Sequence, residues 1–216
     1  SYVDSLEASG ARVIPLIVGE PESVTEDKLR KINGILYPGG DGDYKEFGRS
    51  LFWKIKEMND NGTYFPVWST CMGYEYIVSY ISEQGWDVLD HYEYHSGGMA
   101  MEFVQDPRKT KMYSWLREDA FQFENYNLTY NSHTWGMNPD KFYNDTNLTA
   151  IFNLTAISYM PDGRPFVASI ESESYPFFGT QFHPEKSSRV FDPEANVNHS
   201  WMAIKMNRHF MDYFVY

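Results

Sequence analysis

Cysteine is nearly absent. The 216 residues contain one, Cys71, so no disulfide can form within the chain. A lone thiol, taken by itself, suits a reducing compartment. Long apolar runs are missing as well: none approaches the roughly 18 residues of a membrane span, because Gly, Pro or charge interrupts each one. Basic charge is scarce, with 18 Lys and Arg against 30 Asp and Glu and a net charge of −12. Nucleic-acid affinity is mostly neutralisation of phosphates by Lys and Arg, so that class of partner is excluded as the default. No metal and no cofactor is expected.

What the chain has in quantity is aromatic rings. Its 17 Tyr, 15 Phe and 6 Trp make up 18% of the residues, too many for a disordered polymer. It also carries six Asn-x-Ser/Thr triplets, at Asn61, Asn127, Asn144, Asn147, Asn153 and Asn198. Chance would supply about two, and most fall where Gly, Asn and Asp suggest exposed loops. The triplets favour a lysosomal or secreted glycoprotein, against the hint from the cysteine count.

Hydrophobic spacing divides the chain into two parts. Residues 1–11 read as a helix ending at Gly10, and residues 12–18 (RVIPLIV) as a short strand with Pro15 at an edge or bulge. Further helices are expected at 26–31, 44–59 and 72–82, with strands at 34–37 and 65–68. Strand alternating with helix marks βαβ units and a parallel sheet. Between 88 and 130, and again over 148–159, β segments are expected, with short helices at 112–116 and 140–143. Pro161-Asp-Gly163 is a turn joining strands 155–160 and 165–172 in a hairpin. A strand at 177–182 and a helix at 201–214 close the chain. No repeat or linker interrupts it, so one α/β domain over 1–216 is expected. A doubly wound sheet ordinarily opens with a strand, and here a helix comes first; a strand preceding Ser1 is therefore expected.

Three segments carry chemistry. In Trp68-Ser-Thr-Cys71-Met-Gly73 a strand runs into Cys71 and a helix starts immediately behind it. Such a strand-to-helix turn holds a nucleophile exposed and strained. The helix N-terminus favours the thiolate, and the Met72 N–H is placed to donate to an oxyanion. A lone cysteine is equally readable as a small buried hydrophobe. In Gln181-Phe-His183-Pro-Glu185 a strand ends at a histidine whose proton affinity suits a general base and acid, with a carboxylate two residues on to orient it. Pro38-Gly39-Gly40 follows a strand, where two glycines let the backbone approach a ligand and Gly40 can supply a second oxyanion donor. A plain turn would look the same.

Taken together, PGG after a strand, C-x-G at an elbow and HPE far downstream resemble the class I glutamine amidotransferase-like proteins. Closer detail resembles one branch, the γ-glutamyl hydrolases, in four segments: Asn33-Gly-Ile-Leu-Tyr-Pro-Gly-Gly40, Tyr64-Phe-Pro-Val-Trp68 with Thr70-Cys-Met-Gly73, Asn131-Ser-His133-Thr-Trp135 and Gly179-Thr-Gln-Phe-His-Pro-Glu-Lys186. The likeness runs essentially from Ser1 to the final helix. It implies a flavodoxin-like three-layer sandwich around a central, mostly parallel sheet. It implies cleavage of γ-glutamyl isopeptide bonds in folate polyglutamates, and in antifolate polyglutamates, through a thioester on Cys71. His183 is then the base and acid, and Glu185 its orienter. Gly40 and Met72 supply the oxyanion donors, and His133 and Glu75 contact substrate. A homodimer is implied too. Lys186, Arg189 and Arg164 are candidate cations for the substrate's α-carboxylates. Two other functions compete: a glutaminase subunit passing ammonia to a synthetase, and a non-catalytic glycoprotein that keeps the fold for binding.

Overall fold

The structure, a computed structural model, describes residues 1–216. Its strands are β1 (Ile35–Tyr37), β2 (Val67–Thr70), β3 (Asp90–Met99), β4 (Glu102–Phe103), β5 (Thr129–Gly136), β6 (Asn153–Tyr159), β7 (Pro165–Glu171) and β8 (Phe177–Thr180). The helices are α1 (Tyr2–Ala8), α2 (Glu22–Leu29), α3 (Lys45–Asp60), α4 (Met72–Ile81), α5 (Gln122–Asn125), α6 (Pro139–Asn144), α7 (Thr146–Ile151), α8 (Lys186–Arg189) and α9 (Trp201–Val215). None is long and apolar enough to cross a membrane.

Six strands form one sheet in the order β1-β2-β8-β7-β6-β4, while β3 and β5 form a separate antiparallel ribbon. β1, β2 and β8 pair in parallel, and the pairing turns antiparallel from β8 to β7, β6 and β4. Four of the six strands (β1, β2, β8 and β6) therefore point one way, the mostly parallel α/β sheet the resemblance implied. All of β2 is buried, as expected of a strand with parallel neighbours on both sides and helices on both faces.

Alternation along each strand builds two cores. Ile35, Val67 and Phe177 face α3 and α4, where Leu51, Phe52 and Ile55 of α3 recur at helical spacing. Trp68 and Phe178 point the other way, onto Leu6 of α1 and Met206 and Phe210 of α9. Trp68 is fully buried, its ring 5.8 Å from Phe178 and 5.9 Å from Phe210. Burying one such side chain contributes about 1.5–3 kcal/mol.

The 155–160/165–172 hairpin appears as β6 and β7, and the helices at 44–59, 72–82 and 201–214 as α3, α4 and α9. Two expectations are corrected. Residues 12–18 form no strand: β1 is the sheet edge, Pro15 has no N–H to donate, and Ile17 and Val18 remain more than half exposed. Residues 148–151 are the end of α7 and not part of a strand. The Asp145 carboxylate caps that helix by accepting the N–H groups of Asn147 and Leu148.

Candidate active site

Three adjacent parallel strands end at one place, and each delivers one chemical segment there. β1 leads into Pro38-Gly39-Gly40, β2 into Cys71, and β8 into Gln181-Phe182-His183. Ligands of open α/β sheets bind outside the carboxyl ends of such strands.

Cys71 joins β2 to α4 with φ 51° and ψ −116°, a left-handed backbone that costs a non-glycine residue about 1–3 kcal/mol. Its N–H donates to the Thr180 carbonyl at 2.8 Å, which extends the β2–β8 pairing by one residue and fixes the turn. The helix begins at once behind it because residue 73 is Gly. A Cβ there would lie 2.2 Å from the Tyr37 carbonyl oxygen. The thiol faces the Ser132 carbonyl of β5 at 3.7 Å, so the ribbon forms one wall of the site.

His183 is anchored by its own N–H, which donates to the Tyr130 carbonyl at 2.8 Å. Its Nδ1 lies 2.9 Å from Glu185 Oε1, and the imidazole stands beside Cys71: a Cβ on Gly39 would lie 2.9 Å from both Cys71 Cβ and His183 Cε1. Burial alone would pull the imidazole toward neutrality. The negative charges and hydrogen bonds of Cys71 and Glu185 outweigh it and push His183 up to about 10. Glu185 is 1% exposed. A buried carboxylate paired with a buried imidazole favours the imidazolium.

Glu75 lies one helical turn behind Cys71 and accepts a hydrogen bond from Gln181 Nε2 at 2.9 Å. Burial pushes its carboxyl up to about 7, against the opposing pull of Gln181 and His183. His133 on β5 is buried with its ring 5.0 Å from Phe166, and neither ring nitrogen has a hydrogen-bond partner. Burial and the neighbouring His183 charge lower it to about 4, so it is neutral.

The structure thus gathers Cys71, His183, Glu185, Gly40, Met72, Glu75 and His133 around one point. The Met72 N–H is the first of α4 and has no partner within the helix, as at every helix start. Gly40 has φ 127° and open space where a Cβ would stand. Among the candidate cations, Lys186 directly follows Glu185 and is half-buried without an ion pair, and Arg189 is exposed. Arg164 is not gathered in: its guanidinium is held in the β6–β7 turn by Asp162 and the His91 carbonyl. Gln181 was not singled out from the sequence. The signal was there, since Gln181 directly follows the strand that leads to His183. Of the six triplet asparagines, five are exposed and Asn198 is half-buried, its Nδ2 donating to the Asn127 carbonyl.

Comparison with known proteins gives the chain's family. A family profile described as glutamine amidotransferase class-I matches residues 2–202. γ-Glutamyl hydrolase B of Dictyostelium discoideum is 32% identical over 222 residues, covering all of this chain and 64% of its own length. γ-Glutamyl hydrolase 1 of Arabidopsis thaliana is 32% identical over 220 residues, covering all of this chain and 63% of its own. For the γ-glutamyl hydrolase of Rattus norvegicus the figures are 31%, 222 residues, 100% and 69%. The chain therefore spans less than two thirds of the plant and slime-mould relatives. Among solved structures, a Thermoplasma acidophilum protein provisionally described as one component of a GMP synthase superposes with a TM-score of 0.57 at 16% identity, covering 99% of this chain and 86% of that one. That likeness is one of fold. On its sequence, the chain belongs to the class-I glutamine amidotransferase family, in its γ-glutamyl hydrolase branch.

Proposed function

We propose that this protein is a cysteine hydrolase that cleaves γ-glutamyl isopeptide bonds, with folate and antifolate poly-γ-glutamates as its substrates. The observation that carries the reading is the strained Cys71 at the carboxyl end of β2, beside an imidazole held by a buried carboxylate. The Cys71 thiolate attacks the γ-carbonyl carbon, and the carbonyl electrons move onto oxygen between the Met72 and Gly40 N–H groups. As that intermediate collapses the C–N bond breaks, and His183 gives its proton to the leaving amine. A water then loses a proton to His183 and attacks the thioester, which frees the γ-carboxylate and restores the thiolate–imidazolium pair. Glu185 holds the imidazole through Nδ1 throughout.

Substrate discrimination falls to the neighbours. His133, neutral and with unpartnered ring nitrogens, and the Glu75–Gln181 pair offer donors and acceptors to a glutamyl α-amino or α-carboxylate group. Lys186 supplies local positive charge against a net charge of −12 that repels a polyanion. The exposed triplets support an exported, glycosylated protein working in the lysosome or outside the cell. The family's homodimer is carried over on resemblance.

The test is linkage selectivity. Glutamate release from pteroyl-γ-diglutamate should exceed release from its α-linked isomer by at least about 10³-fold, since the α-linked carbonyl misses the sulfur and the oxyanion donors together. Equal rates on both would replace this reading with a general peptidase.

A further inference from the structure

The first helix enters the site. From the first turn of α1, the Tyr2 hydroxyl lies 3.1 Å from His183 Nδ1 and accepts the Gly39 N–H at 2.9 Å. It is also near enough to Glu185 and Cys71 for their charges to act on it. We propose that Tyr2 is a positioning residue whose hydroxyl ties the Pro38–Gly40 loop to the His183–Glu185 pair and keeps the imidazole turned with Nε2 toward Cys71. The inference rests on Cys71 and His183 being the reacting pair.

The hydrogen-bond accounting supports it. The imidazolium Nδ1–H donates to Glu185 Oε1 at 2.9 Å. The Tyr2 oxygen, with two lone pairs, accepts the Gly39 N–H and stands 3.1 Å from the same Nδ1, so the imidazolium proton is shared between Glu185 Oε1 and the Tyr2 oxygen. Burial and the charges of Glu185 and Cys71 hold the hydroxyl's proton affinity far above its ordinary value, so it stays protonated and neutral. The Gly39 N–H is thereby engaged, which leaves the Gly40 N–H as the donor this loop can turn to an oxyanion. The same point is sterically closed: a Cβ on Gly39 would lie 2.8 Å from the Tyr2 oxygen and 2.9 Å from both Cys71 Cβ and His183 Cε1. Three elements thus converge on one hydroxyl, and a ring without it would still fill the space while losing the tie.

The experiment compares Tyr2→Phe with Leu6→Ala, which loosens α1 through its buried apolar contact and leaves the hydroxyl in place. Two readouts are taken: kcat and KM on a γ-glutamyl substrate, and the pH profile of Cys71 alkylation by iodoacetamide. Tyr2→Phe should lower kcat about tenfold or more with KM within about twofold, as for loss of one hydrogen bond to a charged group. Without the Tyr2 oxygen beside Nδ1 the imidazolium is held less firmly and stabilises the thiolate less, so the acid limb of alkylation should move up by about half a pH unit. Leu6→Ala should lower the melting temperature and leave that limb in place. An unchanged kcat and limb in Tyr2→Phe, or the same shift in Leu6→Ala, would overturn the proposal. Alkylation needs no substrate. A shifted limb in a protein that cleaves no γ-glutamyl bond would uphold the role of Tyr2 while removing the substrate reading.

Discussion

His183→Asn is expected to lower kcat/KM by on the order of 10²–10⁴ while the protein stays folded. Asn keeps the steric outline and a hydrogen-bond partner for Glu185, yet it can neither take the thiol proton nor return one to the leaving amine. Two losses compound. The thiolate is no longer stabilised by the imidazolium, and the amine must depart unprotonated. Melting temperature should change little, because the backbone anchor from the residue 183 N–H to the Tyr130 carbonyl survives the substitution. Activity within tenfold of wild type, measured on a γ-linked diglutamate, would remove His183 from the mechanism. Such a result would point to His133, the other buried imidazole beside the site.

Gly73→Ala should be the most damaging single methyl in the chain. The added carbon would stand 2.2 Å from the Tyr37 carbonyl oxygen and 2.6 Å from its carbon, both backbone atoms that cannot swing aside. Relief requires moving α4 away from β1, which displaces Cys71 along with it. Gly73 lies in the first turn of α4, where Ala gains at most about 1 kcal/mol over Gly, while overpacking costs about 1–3 kcal/mol and occasionally more. The net effect is a lower unfolding midpoint together with lost activity. Gly42→Ala is the matched control, since nothing lies within 4 Å of its added carbon. Equal midpoints for the two variants would mean that the close approach of α4 to β1 is not what seats the nucleophile.

Much of the site was legible because its chemistry is local in sequence. A strand, a small-residue turn and a helix around Cys71 are contiguous, and so are His183 and Glu185. Their meeting is non-local, but it follows once β1, β2 and β8 are parallel neighbours, because each motif directly follows its strand. What escaped was geometry that spacing does not encode. Tyr2 falls within the stretch expected to be a helix, and nothing in its spacing marks a hydroxyl aimed at a residue 181 positions away. The strand expected at 12–18 failed for a related reason. Its apolar run is sound, yet a strand exists only through a neighbour, and none stands beside β1 to pair with it. The helix at 146–151 was written in the sequence, with Asp145 as its cap, but the apolar run beyond obscured it. Arg164 was a candidate by proximity in sequence to the final strand, and the turn that holds it proved to be its partner.

The central claim is that turnover passes through a covalent bond between the Cys71 sulfur and the γ-glutamyl carbon. Intact-mass measurement of enzyme mixed with pteroyl-γ-diglutamate and acid-quenched within the first turnover tests it directly. The account predicts a mass increase equal to the acyl portion of the substrate, mapped to the peptide containing Cys71 and absent in Cys71→Ala, which releases no glutamate. Glutamate release from Cys71→Ala at the wild-type rate, with no adduct on either protein, would contradict it.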